Sequence, residues 1–387
     1  MRHKILDRSI EKESITYNIL VTGGAGFIGS HIVEELLKKE VFFNRYLKSA
    51  TVRFEIFIFD NFSTGKMENI EELLKHDNVH LIEYDDGRHG DLTNYHVLLW
   101  KMKDMDYIIH QGALGSVPRS FDEPKLYAQH NIIATMNIFN IAEIYKDKIK
   151  GIVQASSSSV YGDTEELPKH EEMNVTPKSP YAFSKLVCEE MAHNFHTRTK
   201  IPVTSLRYFN VFGARQNLNG KYSPVIPNFI NAINKNEPCI IHGDGTQTRD
   251  FTYVKYVAEV NIKRMLVDLC INWSSNQFIL RNIGCSPTFF VRIGRDLIYT
   301  RSIGSKILNV GFGENRSIND IFKQLGGTKK THTETRQGDV KDTLACVDRI
   351  EHGIYCTGLD YNYVHYNKEN FKEYLEETVR FYKNENY

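Results

Sequence analysis

The sequence predicts an α/β protein: a doubly wound parallel sheet followed by a smaller α/β C-terminal domain. In the first half of the chain, short apolar strand-like runs alternate with amphipathic helical stretches, an order typical of parallel sheets covered on both faces. The 387 residues allow two domains, and 48 basic residues balance 48 acidic ones. This neutral balance favours neither nucleic acid nor a membrane surface as a partner.

We predict a first domain over residues 15–215, with part of 250–312 returning to it, and a second domain over 216–387. The charged start of the chain lacks the apolar run of a signal peptide, and no stretch approaches the roughly 18 apolar residues of a membrane span. The six cysteines are scattered without a CxxC pair, which is typical of reduced thiols. Together these features predict a soluble, cytoplasmic protein.

The first strand-like run leads through glycines into a helix, in "YNILVTGGAGFIGSHIVEELLKK". Gly24, Gly26 and Gly29 satisfy GxGxxG, and Gly23, Gly26 and Gly29 satisfy the related GxxGxxG. Such glycines permit a tight turn and a close approach of the backbone to a pyrophosphate facing the helix N-terminus. Since a strand precedes the motif and a helix follows it, we predict a Rossmann-type dinucleotide site.

The second strand-like run, "FEIFIFDNFSTGK", ends in Asp60. A carboxylate there accepts from both ribose hydroxyls and repels a 2′-phosphate, which predicts NAD as the cofactor and not NADP. Asp60 lies 31 positions after Gly29, whereas about 20 is usual. We interpret the surplus, residues 41–53, as a loop inserted between helix and strand.

Three further strands are predicted in "VHLIEYDDGRHGDLTN", "MDYIIHQGALGSV" and "KGIVQASSSSVYGD". The small residues after the fourth strand either let the chain cross a cofactor or form a plain loop. The fifth strand ends in Ser156–Ser159, at the edge of the sheet where such folds bind ligands. These serines are therefore candidate ligand contacts, although they can also simply cap the next segment.

"SPYAFSK" places Tyr181 and Lys185 four positions apart, on one face of a predicted helix. A lysine ammonium beside a phenol favours the phenolate, and a cationic nicotinamide acts in the same direction. A tyrosine with an ordinary pKa of about 10 then serves as a base near neutrality. Alone, such a pair is more often surface decoration; beside the serines and the glycine motif, it predicts a proton-transfer site.

Eight motifs together resemble the extended short-chain dehydrogenase/reductases of the NAD-dependent epimerase/dehydratase family that act on nucleotide sugars. They are the glycine motif, "DNFSTG", "HQGALGSVPRS", "SSSSVYGD", "SPYAFSK", "RYFNVFG", "GDGTQTRDFTYV" and "RQGDVKDT". The resemblance covers most of residues 17–270 and 306–350 and is strongest to UDP-N-acetylglucosamine 4-epimerases, within the UDP-glucose 4-epimerase group. It implies NAD as cofactor, a UDP-sugar as substrate, and a homodimer formed through helices near 123–147 and 180–198.

The resemblance also implies a role for individual residues. Ser157, Tyr181 and Lys185 match the catalytic residues: the tyrosine takes the 4-hydroxyl proton while NAD⁺ removes hydride from C4, and the 4-keto sugar then turns over. The implied cofactor-binding residues are Gly23, Gly26, Phe27, Ile28, Gly29, Asp60, Asn61, Ser63, Gly65, Asp91, Leu92, Gln111, Asn131, Tyr181 and Lys185. The implied substrate-binding residues are Ser116, Ser157, Ser158, Asn210, Arg249, Arg336, Asp339 and Thr343.

Two details favour simple epimerisation of an N-acetylated sugar. Ser158 and Ser159 stand where dehydratases and decarboxylases of the group carry acids. Thr343 stands where a tyrosine closes the pocket to an N-acetyl group, although it can also be an ordinary packing residue. We therefore predict interconversion of UDP-GlcNAc and UDP-GalNAc, with UDP-glucose and UDP-galactose as further substrates left open. The alternatives are a UDP-glucose 4-epimerase, a UDP-glucuronate-type epimerase or decarboxylase, and a non-catalytic NAD or nucleotide-sugar binding protein.

The chain departs from the family pattern near its second domain. "FILRNIG" (278–284) and "KILNVG" (306–311) compete for one strand position, so residues of about 280–305 are a second predicted insertion. Both insertions are either loops specific to a lineage or translated non-coding sequence. His193 and His196 lie three apart without a third candidate ligand, and no metal site is predicted.

Overall fold

The computed structural model describes residues 13–46, 50–83, 87, 89–218, 223–274, 305–350 and 366–384. Its strands are β1 (Glu13–Thr22), β2 (Ala50–Phe59), β3 (Val79–Leu81), β4 (Tyr107–His110), β5 (Gly151–Ser157), β6 (Val203–Tyr208), β7 (Val211–Phe212), β8 (Cys239–His242), β9 (Thr248–Asp250), β10 (Thr252–Tyr253), β11 (Lys306–Val310), β12 (Asn315–Ser317) and β13 (Lys330–Thr333). Its α-helices are α1 (Phe27–Tyr46), α2 (Tyr95–Met102), α3 (Val117–Asp122), α4 (Pro124–Tyr127), α5 (Ala134–Ile144), α6 (Pro180–Thr199), α7 (Val225–Asn234), α8 (Val254–Ser274), α9 (Ile318–Gln324) and α10 (Phe371–Asn384).

A seven-stranded parallel sheet in the order β11-β6-β5-β4-β1-β2-β3 organises the molecule. Helices α1 and α8 bury their apolar sides on one face of it, and α2, α5 and α6 cover the other face. Because both faces are buried, the strands are almost continuously apolar: β4, for example, is buried along its whole length. The predicted doubly wound parallel sheet is confirmed.

A smaller α/β layer follows in the C-terminal half. Strand β8 pairs with β13 and β9 pairs with β12, and α7, α9 and α10 share a second apolar core around Phe229, Ile321 and Tyr374. The predicted boundaries, 15–215 and 216–387, stay a prediction. None of the helices in the part of the chain described here combines the length and apolar character needed to cross a membrane.

The segment 41–53 differs from the inserted loop that we expected. Helix α1 continues to Tyr46 and β2 begins at Ala50, so the described part of this segment lengthens both elements. The Asn44 side chain fixes this arrangement, since it donates to the carbonyl of Val52 at 2.9 Å and accepts from its N–H at 2.7 Å. Residues 47–49 lie outside the described residues.

Of the two segments competing for one strand position, the second forms β11, which pairs in parallel with β6. Asn309 anchors it: its backbone N–H donates to Glu171 Oε1 at 2.8 Å, and its side chain accepts from the Tyr161 hydroxyl at 2.7 Å. The first segment, 278–284, and most of the predicted insertion at about 280–305 lie outside the described residues.

Candidate active site

The glycine loop between β1 and α1 is built from close backbone contacts. Gly23 has φ of +66°, in the left-handed region that favours glycine. A Cβ on Gly29 would lie 2.1 Å from the Gly23 carbonyl oxygen, so only glycine lets the helix start so close to the loop. The first turn of α1 therefore presents backbone N–H groups at the carboxyl edge of the sheet, where an anion is favoured.

Asp60 follows β2 and is almost fully buried. Its two carboxylate oxygens accept from the N–H groups of Ala25 at 2.9 Å and Phe62 at 2.8 Å. Burial raises its pKa, and these backbone hydrogen bonds oppose the rise. The carboxylate thus clamps the glycine loop, and its remaining lone pairs are available to a ligand.

A cavity of about 1080 Å³, open to solvent, runs along the carboxyl ends of β1, β2, β4, β5 and β6. It is lined by every predicted cofactor residue except Gly65 and Asn131. Gly65 instead packs under Asp60, where a Cβ would lie 3.0 Å from both carboxylate oxygens. The cavity also includes the small residues Gly112–Gly115, which favours the interpretation that the chain crosses a ligand there over that of a plain loop.

Asn131 is fully buried behind the cavity wall. Its amide accepts from the Leu114 N–H at 2.8 Å, donates to the Leu114 carbonyl at 3.1 Å and donates to Ser184 Oγ at 3.0 Å. Asn131 therefore supports the loop that forms the wall, and its expected place near the cofactor stays a prediction. It lies in a π-helical segment, Ala128–Ile133, which also brings His130 into the cavity lining.

The serine run caps the next segment and also lines a cavity, and its expected contacts with a ligand stay a prediction. Ser157 ends β5 and caps a short 3₁₀ helix, and its hydroxyl accepts from the Ser159 N–H at 3.2 Å and from Ser159 Oγ at 2.9 Å. Ser156 instead donates to the buried Glu189 at 2.5 Å. All four serines nevertheless line a cavity.

Tyr181 and Lys185 lie on the first turns of α6, which begins at Pro180 under a cap from Ser179. Burial raises the pKa of Tyr181 to about 12, and a hydrogen bond with Ser157 opposes that rise. The Lys185 ammonium donates to the Ala155 carbonyl at 2.9 Å, and burial lowers its pKa. Our expectation that Lys185 lowers the Tyr181 pKa stays a prediction, since burial is the largest influence on that pKa and Ser157 is the group that opposes it. The contribution of a cationic nicotinamide stays a prediction.

A second cavity, of about 1860 Å³ and also open to solvent, meets the first at Ser156, Tyr181 and Tyr208. Every predicted substrate residue except Ser116 lines it. Ser116 lies between two lining residues but caps α3 through its side chain, and its N–H donates to the Tyr127 hydroxyl at 3.1 Å.

Two arginines, Arg249 and Arg336, give this second cavity its basic character. Arg249 Nη1 donates to the carbonyls of Thr248 and Lys341, each at 2.9 Å. Burial lowers the pKa of both guanidinium groups, and the Asp339 carboxylate opposes this. An anion beside them would offset their lost hydration, and guanidinium forks match phosphate oxygens.

Asn210 and Thr343 are coupled on the wall of the second cavity. Asn210 has φ of +22°, at the edge of the left-handed region that residues other than glycine seldom adopt. Thr343 Oγ1 donates to Asn210 Oδ1 at 3.5 Å and accepts from the Asp250 N–H at 3.1 Å. Thr343 is thus a packed residue and also a residue of the cavity wall.

Some lining residues were missed from the sequence. Tyr208 lies two positions before Asn210 in "RYFNVFG", at the end of β6, and that position was a usable signal. His130 had no sequence signal that placed it in the cavity lining, because it reaches the cavity from the π-helical segment. Lys178 and His242 also line the second cavity. Within the described ranges, no three His, Cys, Asp or Glu side chains form a group that could hold a metal ion.

Comparison with known proteins gives concordant matches. A family model described as the NAD dependent epimerase/dehydratase family matches residues 19–267. The chain is 34% identical over 305 residues to a Methanocaldococcus jannaschii protein assigned as a UDP-glucose 4-epimerase, covering 79% of this chain and 80% of that one. It is 32% identical to the UDP-N-acetylglucosamine 4-epimerase of Methanobrevibacter ruminantium M1, solved with UDP-N-acetylmuramic acid (TM-score 0.73, covering 96% and 99%). It is 26% identical to the UDP-glucuronic acid 4-epimerase of Bacillus cereus, solved with UDP-glucuronic acid and NAD (TM-score 0.70, covering 95% and 99%).

Proposed function

This chain belongs to the NAD-dependent epimerase/dehydratase family and groups there with the UDP-sugar 4-epimerases, which are isomerases, and we propose that it interconverts UDP-GlcNAc and UDP-GalNAc. One observation carries the proposal. Tyr181 lies where the two cavities meet, hydrogen-bonded to Ser157, with Lys185 one helical turn away. A proton acceptor at the junction of a dinucleotide cavity and a second, basic cavity suits oxidation of a sugar hydroxyl.

The first cavity fits NAD. Glycine lets the loop after β1 pack directly against the loop after β4, since a Cβ on Gly23 would lie 2.8 Å from the backbone nitrogen of Gly112, and both loops line the cavity. In our proposal the first turn of α1 holds the pyrophosphate, Asp60 holds the adenosine ribose, and Lys185 holds the nicotinamide ribose. NAD, when bound, supplies the acceptor for the C4 hydride of the sugar and returns it afterwards.

The protein's own groups handle the proton and the sugar. The Tyr181 phenol oxygen accepts the 4-hydroxyl proton and later returns it, while the Ser157 hydroxyl holds the 4-oxygen. Arg249, Arg336 and Asn210 hold the diphosphate. No acid lies among Ser156–Ser159 to assist elimination of water, which supports simple epimerisation.

Thr343 supports an N-acetylated substrate because a threonine leaves more of the cavity open than a tyrosine would. The same opening admits plain UDP-hexoses, so the preference between the two sugar classes is a matter of degree. The assignments of Asp339 to the uridine, of residues 216–387 to a substrate-binding domain, and of the protein to the cytoplasm are further parts of this proposal.

The test is epimerisation by purified protein of UDP-GlcNAc, UDP-glucose and UDP-glucuronate, each without added NAD. We expect UDP-GalNAc to form from UDP-GlcNAc. The matched variant Thr343→Tyr should lose this reaction and retain turnover of UDP-glucose. Conversion of UDP-glucose or UDP-glucuronate alone would contradict the N-acetyl assignment. No turnover of any sugar, even with NAD supplied, would favour a binding protein.

We also propose a homodimer formed through α5 and α6. Three large apolar side chains on or next to these helices are exposed: Met136 by 38%, Ile133 by 45% and Phe183 by 55%. Exposed apolar residues grouped this closely are typical of protein interfaces. Sedimentation equilibrium should give twice the 44.8 kDa chain mass, and a monomer at micromolar concentration would contradict the proposal.

A further inference from the structure

Three polar side chains from distant parts of the chain meet at the edge of the cofactor cavity. The Tyr208 hydroxyl lies 3.0 Å from Gln111 Oε1, Gln111 Nε2 lies 3.1 Å from Asn261 Oδ1, and Asn261 Nδ2 lies 2.8 Å from the Tyr208 hydroxyl oxygen. Asn261 is on α8 and is separated from Gln111 by 150 positions. We call these residues the amide–phenol triad.

The amide donors of the triad can be assigned from its contacts. Asn261 Nδ2 also donates to the Val257 carbonyl at 2.8 Å, so its two hydrogens are used by Val257 and Tyr208. The Tyr208 hydroxyl, which accepts from Asn261, has two acceptors for its single hydrogen, Gln111 Oε1 and Asn261 Oδ1, each at 3.0 Å. In either case Gln111 gives one N–H to Asn261 Oδ1.

The bond from Gln111 Nε2 to Asn261 Oδ1 sets the orientation of the Gln111 amide. Its oxygen is held towards Tyr208, and one N–H is held by Asn261, which leaves the second N–H for an acceptor in the cavity that Gln111 lines. Tyr208 lines both cavities at their junction. Asn261 is fully buried and lines neither of them.

We propose that Asn261 is a positioning residue for the proposed reaction, acting through Gln111 and Tyr208. It sets which face of the Gln111 amide the cofactor meets, and it holds the Tyr208 ring where cofactor and sugar come together. This inference rests on the proposed function for its kinetic consequence. Its effect on NAD binding stands independently of which sugar is the substrate.

The test compares Asn261→Leu and Tyr208→Phe, alone and combined, with the control Asn78→Leu. The control removes a buried amide that donates to the Phe54 carbonyl at 3.0 Å and lines neither cavity. Three quantities are measured for each protein: kcat and KM for UDP-GlcNAc, the NAD dissociation constant of cofactor-stripped protein, and the thermal midpoint.

We expect Asn261→Leu to lower kcat by about 100-fold, the usual cost of a small misplacement at a reaction centre, with KM changed less than threefold. NAD should bind about tenfold more weakly, as expected when one oriented hydrogen bond is lost. Tyr208→Phe should have effects of similar size. The double variant should be no worse than the more impaired single variant, because both changes break the hydrogen bonds of the amide–phenol triad.

Three results would overturn the inference. They are unchanged NAD affinity and kcat in Asn261→Leu, losses in Asn261→Leu and Tyr208→Phe that simply add in the double variant, and an equal loss in Asn78→Leu at an equal drop in thermal midpoint. If Asn261→Leu does not fold, Tyr208→Phe still tests the triad through NAD affinity. Should wild-type protein turn over no UDP-sugar, the proposed function fails, and the NAD measurements still decide the role of Asn261.

Discussion

The phenol of Tyr181 is controlled by two opposing effects. Loss of hydration raises its pKa to about 12, whereas the hydrogen bond with Ser157 lowers it. A base must be deprotonated to act, so each group that stabilises the phenolate increases the fraction of active protein at neutral pH. Among the described residues, Ser157 is the side chain whose hydrogen bond lowers the Tyr181 pKa.

Replacing Ser157 by alanine should therefore raise the Tyr181 pKa further and move the rising limb of the kcat–pH profile to higher pH. At pH 7 we expect kcat to fall by about tenfold, the value of one hydrogen bond to a charged group, with part of the loss recovered at pH 9. The measurement is kcat between pH 6 and pH 9.5. Ser158→Ala is the control, and a profile that shifts equally in both variants, or in neither, contradicts the assignment of Ser157.

At the level of secondary-structure elements, the wall of the cofactor cavity depends on buried supports behind it. The loop after β4 is pinned by Asn131, and the glycine loop is pinned by Asp60 and by Asn69, which donates to the Ala25 carbonyl at 2.8 Å. These loops carry the ligand contacts, yet their shape is set by side chains that a ligand does not touch.

Asn131→Leu tests this dependence. The substitution leaves the N–H and carbonyl of Leu114 without their partners, which costs about 2–4 kcal/mol of stability. We also expect NAD to bind at least tenfold more weakly, since the wall formed by Leu114 and Gly115 loses its anchor. Urea unfolding and NAD titration are the measurements, with Asn78→Leu as control. Full NAD affinity in a destabilised Asn131→Leu would show that the loop holds its shape unaided.

Local patterns were enough to predict the parts of the site that lie close together in sequence. The four-residue spacing of Tyr181 and Lys185 places them on one face of a helix. The glycine motif identifies a dinucleotide-type loop because a strand precedes it and a helix follows it. Contacts between distant segments could not be predicted this way. The two candidate strands near 280 and 308 look alike in sequence, and long-range bonds to Asn309 anchor β11, the one among the described residues. Likewise, Asn261 meets Gln111 only because α8 crosses the sheet behind β4.

At the scale of the whole molecule, stability should depend on buried histidines. His31 is buried, and its Nδ1 lies 2.9 Å from the Phe27 carbonyl oxygen. His110 lies between the hydroxyls of Thr22 and Thr135, at 2.6 Å and 3.0 Å. Burial lowers the pKa of each to about 3, helped by Arg215 at His31 and by Lys185 at His110. Asp250 acts in the opposite direction, since burial raises its pKa to about 6.

These shifts predict that the free energy of unfolding falls on acidification. An unfolded histidine titrates at about 6.5, so between pH 6.5 and about 3 the unfolded chain binds more protons than the folded one, and stability decreases by up to about 1.4 kcal/mol per pH unit for each histidine. From pH 7 to pH 5 the two histidines cost about 4 kcal/mol. Protonation of folded Asp250 offsets about 1 kcal/mol over the same range, leaving a net loss of about 3 kcal/mol.

Urea unfolding at pH 7 and at pH 5 measures this loss of stability. His110→Gln should reduce the pH dependence by about two-thirds even though it is less stable at pH 7. His96→Gln, at an exposed position on α2, is the control. Equal stability of the wild-type protein at pH 7 and pH 5 would contradict the buried, neutral state of these histidines.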